Sequence, residues 1–334
     1  MRLVFVVPFL LAAALPVAAQ SPVAPRLDAA ARGRIADSAA VIYRSRYPDE
    51  AIANRLADSL RAWSRRDRWR TQEEPAAFAA ALQADVRTIV NDRHLWYTYR
   101  PDVEFVRGDA PAAAGMVRRS ARIDPRDSVE IARRNFGVPR AEVLEGNVGY
   151  LRLTEFVPLD WSRPTLEAAL SLLRHTDAVI IDVRSNRGGS PDNVGFLLSQ
   201  FLGPEPQVLF ASRSRVLGRS DTLRSDPAAV VQSRLGVPLY ILTDGRSASA
   251  AEMLPYIVKQ SRLGTVVGER SAGAGNGGVT YSIGSGIQMF APERQTLSGP
   301  GWEGIGVEPD VAAPRAEALD RALALIRERR TSTP

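Results

Sequence analysis

The sequence predicts an α/β core preceded by a helical N-terminal domain, and three observations carry that fold class. From residue 128 to about 330, strand-like apolar runs alternate with helical runs. Ahead of that region, over residues 27–101, apolar residues recur at three- and four-residue spacing, as one face of a helix requires. Clusters of glycine and small residues follow two of the apolar runs, where a strand would hand over to a helix.

Three helices are expected first, over Leu27–Tyr47, Asp49–Arg68 and Glu73–Asn91. In the last, Phe78, Leu82, Val86 and Ile89 form one stripe, and Pro48 and Pro75 stand where helices start. This domain ends near Asp92-Arg-His94. Residues 107–127 read as loop. Then come a helix over Ile131–Phe136, strands over Ala141–Leu144 and Val148–Phe156, and a helix over Pro164–Arg174. Ala178–Val183 is a buried strand, Asp192–Leu202 a helix, and Val208–Ala211 and Val237–Thr243 are strands. A helix over Ala250–Arg262 and a strand over Gly264–Gly268 follow. Val279–Ile283 and Ile287–Ala291 make a hairpin around Gly284-Ser-Gly286, and a helix over Pro314–Arg329 closes the chain.

The first residues stand apart. Met1-Arg2 is basic, Leu3–Leu15 is apolar, and Val17-Ala18-Ala19 supplies small residues for cleavage after Ala19, so residues 1–19 read as a secretory signal. The apolar run is short for a bilayer span, and an exported protein, secreted or periplasmic, without a stable membrane span is expected. The 334 residues, 45% apolar and 24% charged, otherwise describe an ordinary globular chain. It has no cysteine, which excludes disulfides, a thiol nucleophile, thiolate metal sites and a lipidated N-terminal cysteine. The net charge of +6 is almost all arginine and is scattered; no aromatic-basic pattern points to nucleic acid. No H-E-x-x-H or other ligand cluster supports a metal, and no cofactor is expected.

Asp244-Gly-Arg-Ser-Ala-Ser249-Ala250-Ala-Glu252 sits between an apolar strand and a helix, which places a hydroxyl at a helix N-terminus. Such a serine is most often an N-cap, yet the unpaired N–H groups there also suit a nucleophile and the oxyanion it creates. Arg184-Ser-Asn-Arg-Gly188-Gly189-Ser190 likewise follows a strand. It fits neither phosphate-loop pattern, which leaves an oxyanion-binding turn or a plain tight turn. Of the two histidines, His175 reads as a helix-end residue, and His94 is the candidate general base or else a packed loop residue beside Trp96. The only lysine, Lys259, lies ten residues beyond Ser249, about 15 Å along a helix, too far to activate it. Gly301-Trp-Glu303-Gly-Ile-Gly offers a carboxylate that could orient a histidine, or a surface glutamate in a glycine turn. There is no G-x-S-x-G elbow.

Together and in this order, Asp92-Arg-His94, Asn147–Leu153, Ile181–Gly189, Ser247–Glu252, Val266–Glu269 and Trp302–Asp310 resemble the tail-specific, or C-terminal-processing, serine peptidases of family S41. The branch most similar is that of the tricorn core and the interphotoreceptor retinoid-binding protein modules. The resemblance runs from about Leu27 to the final helix. It implies a crotonase/ClpP-like ββα core over 128–330, a helical domain over 27–101, and a peptide or protein substrate. It implies Ser249 as nucleophile, with Ser247 second, and an oxyanion hole from the N–H of Ala250 and of Gly188 or Gly189. Where other branches carry a lysine base, this chain has Ala274, which moves the base role to His94 with Glu303 as orienter. Only about forty residues separate Pro101 from Ala141, too few for a PDZ module of ordinary size. Two other classes compete with the peptidase: a non-catalytic module binding a lipid, retinoid-like ligand or peptide, and an envelope scaffold without a cleft at Ser249. The oligomeric state is not specified by the sequence.

Overall fold

The computed structural model describes residues 26–101, 117–118, 125–215 and 218–332. The expected signal segment at 1–19, its expected cleavage point and most of the loop expected at 107–127 lie outside them.

Three helices open the chain: α1 (Ala29–Arg46), α2 (Glu50–Arg65) and α3 (Pro75–Arg87). Asp28 and Asp49 cap α1 and α2 by accepting backbone N–H bonds from Ala31 and Ile52, and Pro75 begins α3, where its missing N–H costs nothing. Their inward faces carry Ile35, Tyr43, Leu56, Leu60, Phe78 and Leu82, all essentially inaccessible. These helices do not close a core by themselves. They share it with Tyr97, Tyr281, Ile283, Ile287 and Met289, which belong to a four-stranded sheet ordered β1-β11-β10-β2. Its strands are β1 (Trp96–Tyr99), β2 (Val117–Arg118), β10 (Gly278–Gly284) and β11 (Ile287–Pro292). Thus a hairpin from late in the chain is the floor on which the N-terminal helices rest, and β1 pairs with β11 in the register Trp96–Phe290.

The second body is a six-stranded sheet, ordered β13-β9-β8-β5-β4-β3. It comprises β3 (Arg140–Leu144), β4 (Val148–Arg152), β5 (Ala178–Asp182), β8 (Leu239–Thr243), β9 (Thr265–Gly268) and β13 (Val311–Ala312). Only β3 runs antiparallel. The central strands Ala178–Asp182 and Leu239–Thr243 are buried at every position, as a parallel sheet covered on both faces requires. One face packs α5 (Leu159–Leu172), α6 (Asp192–Ser199) and α7 (Ala250–Gln260) through Leu166, Val194 and Leu254. The other packs α8 (Ala318–Ser332) through Ala318, Ala322 and Ile326. A helix α4 (Pro125–Arg133) leads into β3, and a three-stranded sheet, β12-β6-β7, stands beside α6. Its strands are β6 (Val208–Ser214), β7 (Arg219–Arg224) and β12 (Arg294–Thr296).

The expected α/β class with N-terminal helices is what the chain adopts. Three details differ. α5 begins at Leu159, five residues before the Pro164 expected to start it, and carries that proline inside; the missing N–H forfeits one helical bond. α4 begins at Pro125 rather than at Ile131. β1, β2, β7, β12 and β13 were not expected.

Candidate active site

Ser249 sits at the N-terminus of α7 with φ 57° and ψ −125°, a strained backbone for a residue with a Cβ. The position is that of an N-cap, and Ser249 and Glu252 make up a capping box there. The turn is also held from behind. Glu252, wholly buried, accepts the N–H of Ser249 at 2.8 Å, of Ala274 at 2.8 Å and of Gly273 at 2.6 Å, and the Ser271 hydroxyl at 2.5 Å. Burial pushes its carboxyl up, against the pull of those four donors. Asp244 completes the support. It accepts the N–H of Ser185 at 2.8 Å and of Arg246 at 3.0 Å, and pairs with Arg315 Nε at 2.7 Å.

The glycine turn after β5 lies against this serine. A Cβ built on Gly188 would stand 2.7 Å from Ser249 Cβ and 2.9 Å from Ala250 N, and one on Gly189 would strike the Phe156 carbonyl at 2.1 Å. Both glycines have φ well above zero, at +95° and +131°. The Gly188 N–H donates to Asn186 Oδ1 at 2.8 Å, so it is not open to a ligand. Asn186 is fully buried, and its carbonyl accepts the Ala248 N–H at 2.9 Å, locking the glycine turn to the serine turn. The N–H groups of Gly189 and Ala250 have no acceptor among the described residues. Of the expected pairings, Ala250 with Gly189 is therefore the one whose donors are open. Ser247, the second choice for nucleophile, is inaccessible; its hydroxyl donates to the Val183 carbonyl at 2.8 Å and accepts the Asp244 N–H at 3.0 Å. It braces the turn and does not line the cavity.

Ser249, Ala250, Gly189 and His94 line one cavity of about 640 Å³, with Phe210, Leu223, Met253, Phe290 and Trp302 among its apolar walls. His94 reaches it from the turn between α3 and β1. His94 is 8% exposed, and its ring stacks on Phe290 at 5.1 Å, with 24° between planes. Its Nδ1 is buried and makes no hydrogen bond; it faces Glu303 Oε2 at 3.9 Å, a charge contact too long for a hydrogen bond. Glu303 is fixed by three backbone donors: Gly275 at 2.6 Å and Asn276 at 2.7 Å to Oε2, and Arg93 at 3.1 Å to Oε1. Burial pushes its carboxyl up, but the His94 imidazole and the N–H groups of Asn276 and Arg93 outweigh it and hold the acid below its usual range.

Sequence reasoning overlooked Asp92 as a participant. Its Oδ1 accepts the His94 N–H at 2.8 Å, and its Oδ2 accepts Tyr47 OH at 2.9 Å and Asn276 Nδ2 at 3.1 Å. The signal was present, since an Asp two residues before another residue caps that residue's N–H in an Asx turn. Asp92, His94 and Glu303 bring one ligand-type atom each to within 4.8 Å of one another. Every carboxylate oxygen among them already accepts from an N–H or O–H donor. Lys259 lies at the far end of α7, bound to Asp310 at 2.9 Å and to the Glu308 carbonyl at 2.6 Å. His175 is exposed and accepts from Arg174 Nε at 3.0 Å, past the end of α5.

Gly188→Ala supplies a test of the turn. The added methyl meets Ser249 Cβ at a distance real side chains do not tolerate. Displacing the adjacent donors is expected to lower turnover of any acyl substrate by about 100-fold or more. The variant should also lose about 1–3 kcal/mol of stability from the positive φ. Turnover and thermal unfolding of the variant read the two effects.

A strained serine at a helix N-terminus, two open N–H groups and an imidazole backed by a carboxylate define the class: an α/β fold carrying the components of a serine hydrolase. Comparison with known proteins places it further. Residues 147–313 match the model of peptidase family S41, and the chain belongs to that family. It is 26% identical over 254 residues to the carboxy-terminal-processing protease of Bartonella bacilliformis, covering 72% of this chain and 56% of that one. It is also 26% identical over 254 residues to the putative tricorn protease homolog 2 of Streptomyces coelicolor, covering 70% of this chain and 20% of that one. The chain thus spans about half of the first relative and a fifth of the second. A putative peptidase from Parabacteroides merdae shares the fold, with TM-score 0.58 at 16% identity over 88% of this chain and 96% of its own.

Proposed function

We propose that this chain is an exported serine peptidase that hydrolyses peptide bonds through an acyl-enzyme, with Ser249 as nucleophile, His94 as base and Glu303 as orienter. The observation that carries it is the convergence of Ser249, His94, Gly189 and Ala250 on one cavity from segments remote in sequence. In this reading residues 27–101 supply the base and residues 128–330 the nucleophile and oxyanion donors. Nδ1 of His94 faces Glu303, which leaves Nε2 for the hydroxyl. The imidazole takes the Oγ proton as Oγ attacks the peptide carbonyl, and the resulting oxyanion sits at the N–H groups of Gly189 and Ala250. The imidazolium then returns that proton to the leaving amine, and water releases the acyl group by the same steps. Closure of the 3.9 Å gap to a hydrogen bond accompanies substrate binding, since catalytic contacts tighten in the working complex.

Similarity to processing proteases supports a protein or peptide substrate, and the residue 1–19 segment supports export. Among the described residues no helix is long and apolar enough to cross a membrane. The apolar lining of the cavity favours a second reading, a binder of lipid-like ligands. A binder has no use for a strained serine with open N–H donors beside it, so the peptidase is preferred. Incubating the purified chain with a denatured protein and sequencing the products by mass spectrometry separates them. New peptide termini that disappear in His94→Ala support the peptidase; an intact substrate together with saturable retinoid or fatty-acid binding supports the binder.

A further inference from the structure

Asp92 is 1% exposed, and no basic side chain pairs with it among the described residues. A buried carboxylate without a cation is costly. Its hydrogen bonds explain its place: Tyr47 ends α1, His94 belongs to its own turn, and Asn276 lies in the loop whose N–H groups hold Glu303. They do not by themselves explain its charge, since a neutral amide could meet part of that need. The titratable groups that face it are Tyr43 and Tyr47 from α1, His94 from its own turn and Glu303 from the turn after β12. Burial pushes both tyrosines up, so they stay neutral. Among the described residues that face Asp92, the one group that can become a cation is His94.

We propose that Asp92 is a positioning residue of this site, fixing the turn that carries His94 and setting a second negative charge beside the imidazolium that forms when Ser249 gives up its proton. This rests on the peptidase reading for its use, but not for its test. Burial and the neighbouring Glu303 raise the Asp92 carboxyl to about 6, so above that pH the imidazolium lies near two carboxylates. The second charge acts chiefly when the ring is charged, which is the state the transition state creates.

The experiment compares Asp92→Asn, Tyr47→Phe and the wild type, all in a His175→Gln background so that His94 is the only imidazole. Asp92→Asn is expected to lower kcat/KM on a short peptide by about 10–100-fold with KM nearly unchanged. It should also move the acid limb of the profile, and the pH at which the His94 ring resonances titrate, to lower pH. Tyr47→Phe removes one hydrogen bond to Asp92 and no charge, and should shift limb and ring titration less than Asp92→Asn does. An Asp92→Asn ring titration that coincides with the wild type overturns the proposal, whatever happens to the rate, because a purely structural role predicts that result. Should that variant unfold, the wild type still decides: the Asp92 carboxyl carbon and the His94 ring must share inflections, and independent curves overturn the proposal. A wild type that hydrolyses nothing defeats the peptidase reading and leaves the ring titration valid.

Discussion

Ser249→Ala is expected to abolish peptide hydrolysis, with a fall in kcat of about 10⁴–10⁶-fold, while the fold stays intact. The hydroxyl's structural use is the serine half of a capping box with Glu252, a contribution of about 1 kcal/mol or less. Alanine has the same backbone preferences as serine at φ 57°, so the strain is unchanged. Stability should therefore stay within about 1 kcal/mol of the wild type. A serine that only caps the helix would cost as much when replaced and leave any activity alone. Peptide turnover, read beside urea unfolding on the same preparation, distinguishes the two roles.

The second large effect is expected at a residue that touches no substrate. Glu252→Ala removes the acceptor of four donors at once: Ser249, Gly273 and Ala274 N–H and the Ser271 hydroxyl. Each buried donor left unsatisfied costs about 1–3 kcal/mol, so a loss of about 4 kcal/mol or more is expected. That is a large fraction of the stability of an ordinary domain. The midpoint of urea unfolding should fall with little change in slope, and turnover should fall with it, because the same bonds set the Ser249 turn and the loop that reaches Glu303. Glu252→Gln retains the size but turns an amide N–H₂ toward backbone donors, so it should rescue only part of the stability. Full rescue by glutamine would show that two acceptor sites suffice and that charge has no part.

What was legible in the sequence follows from how far each signal reaches. Ala178–Asp182 and Leu239–Thr243 stand out because strands buried on both faces must be apolar throughout. The helices α1 to α3 show their spacing for the same reason. β7 was missed because Arg219-Ser-Asp-Thr-Leu-Arg224 is a polar edge strand with no buried stripe to betray it. β1 was missed because Trp96–Tyr99 acquires its strand character only from β11, nearly two hundred residues away. The same non-locality governs the site. Ser249, Gly188, Gly189 and Glu303 were visible as small-residue turns in unusual company, yet which N–H was open depended on Asn186 folding back onto Gly188. Asp92 shows no role within its motif, since the partners that give it one, Tyr47 and Asn276, are remote in sequence.

Whether Ser249 is a nucleophile activated within this cavity is read by a fluorophosphonate reagent, which bonds covalently only to a serine whose neighbours activate it. A mass increase of one phosphonyl group per chain is expected, mapped to the peptide containing Ser249, slowed strongly in His94→Ala and absent in Ser249→Ala. A chain that stays unmodified, or one modified at another serine, would contradict it.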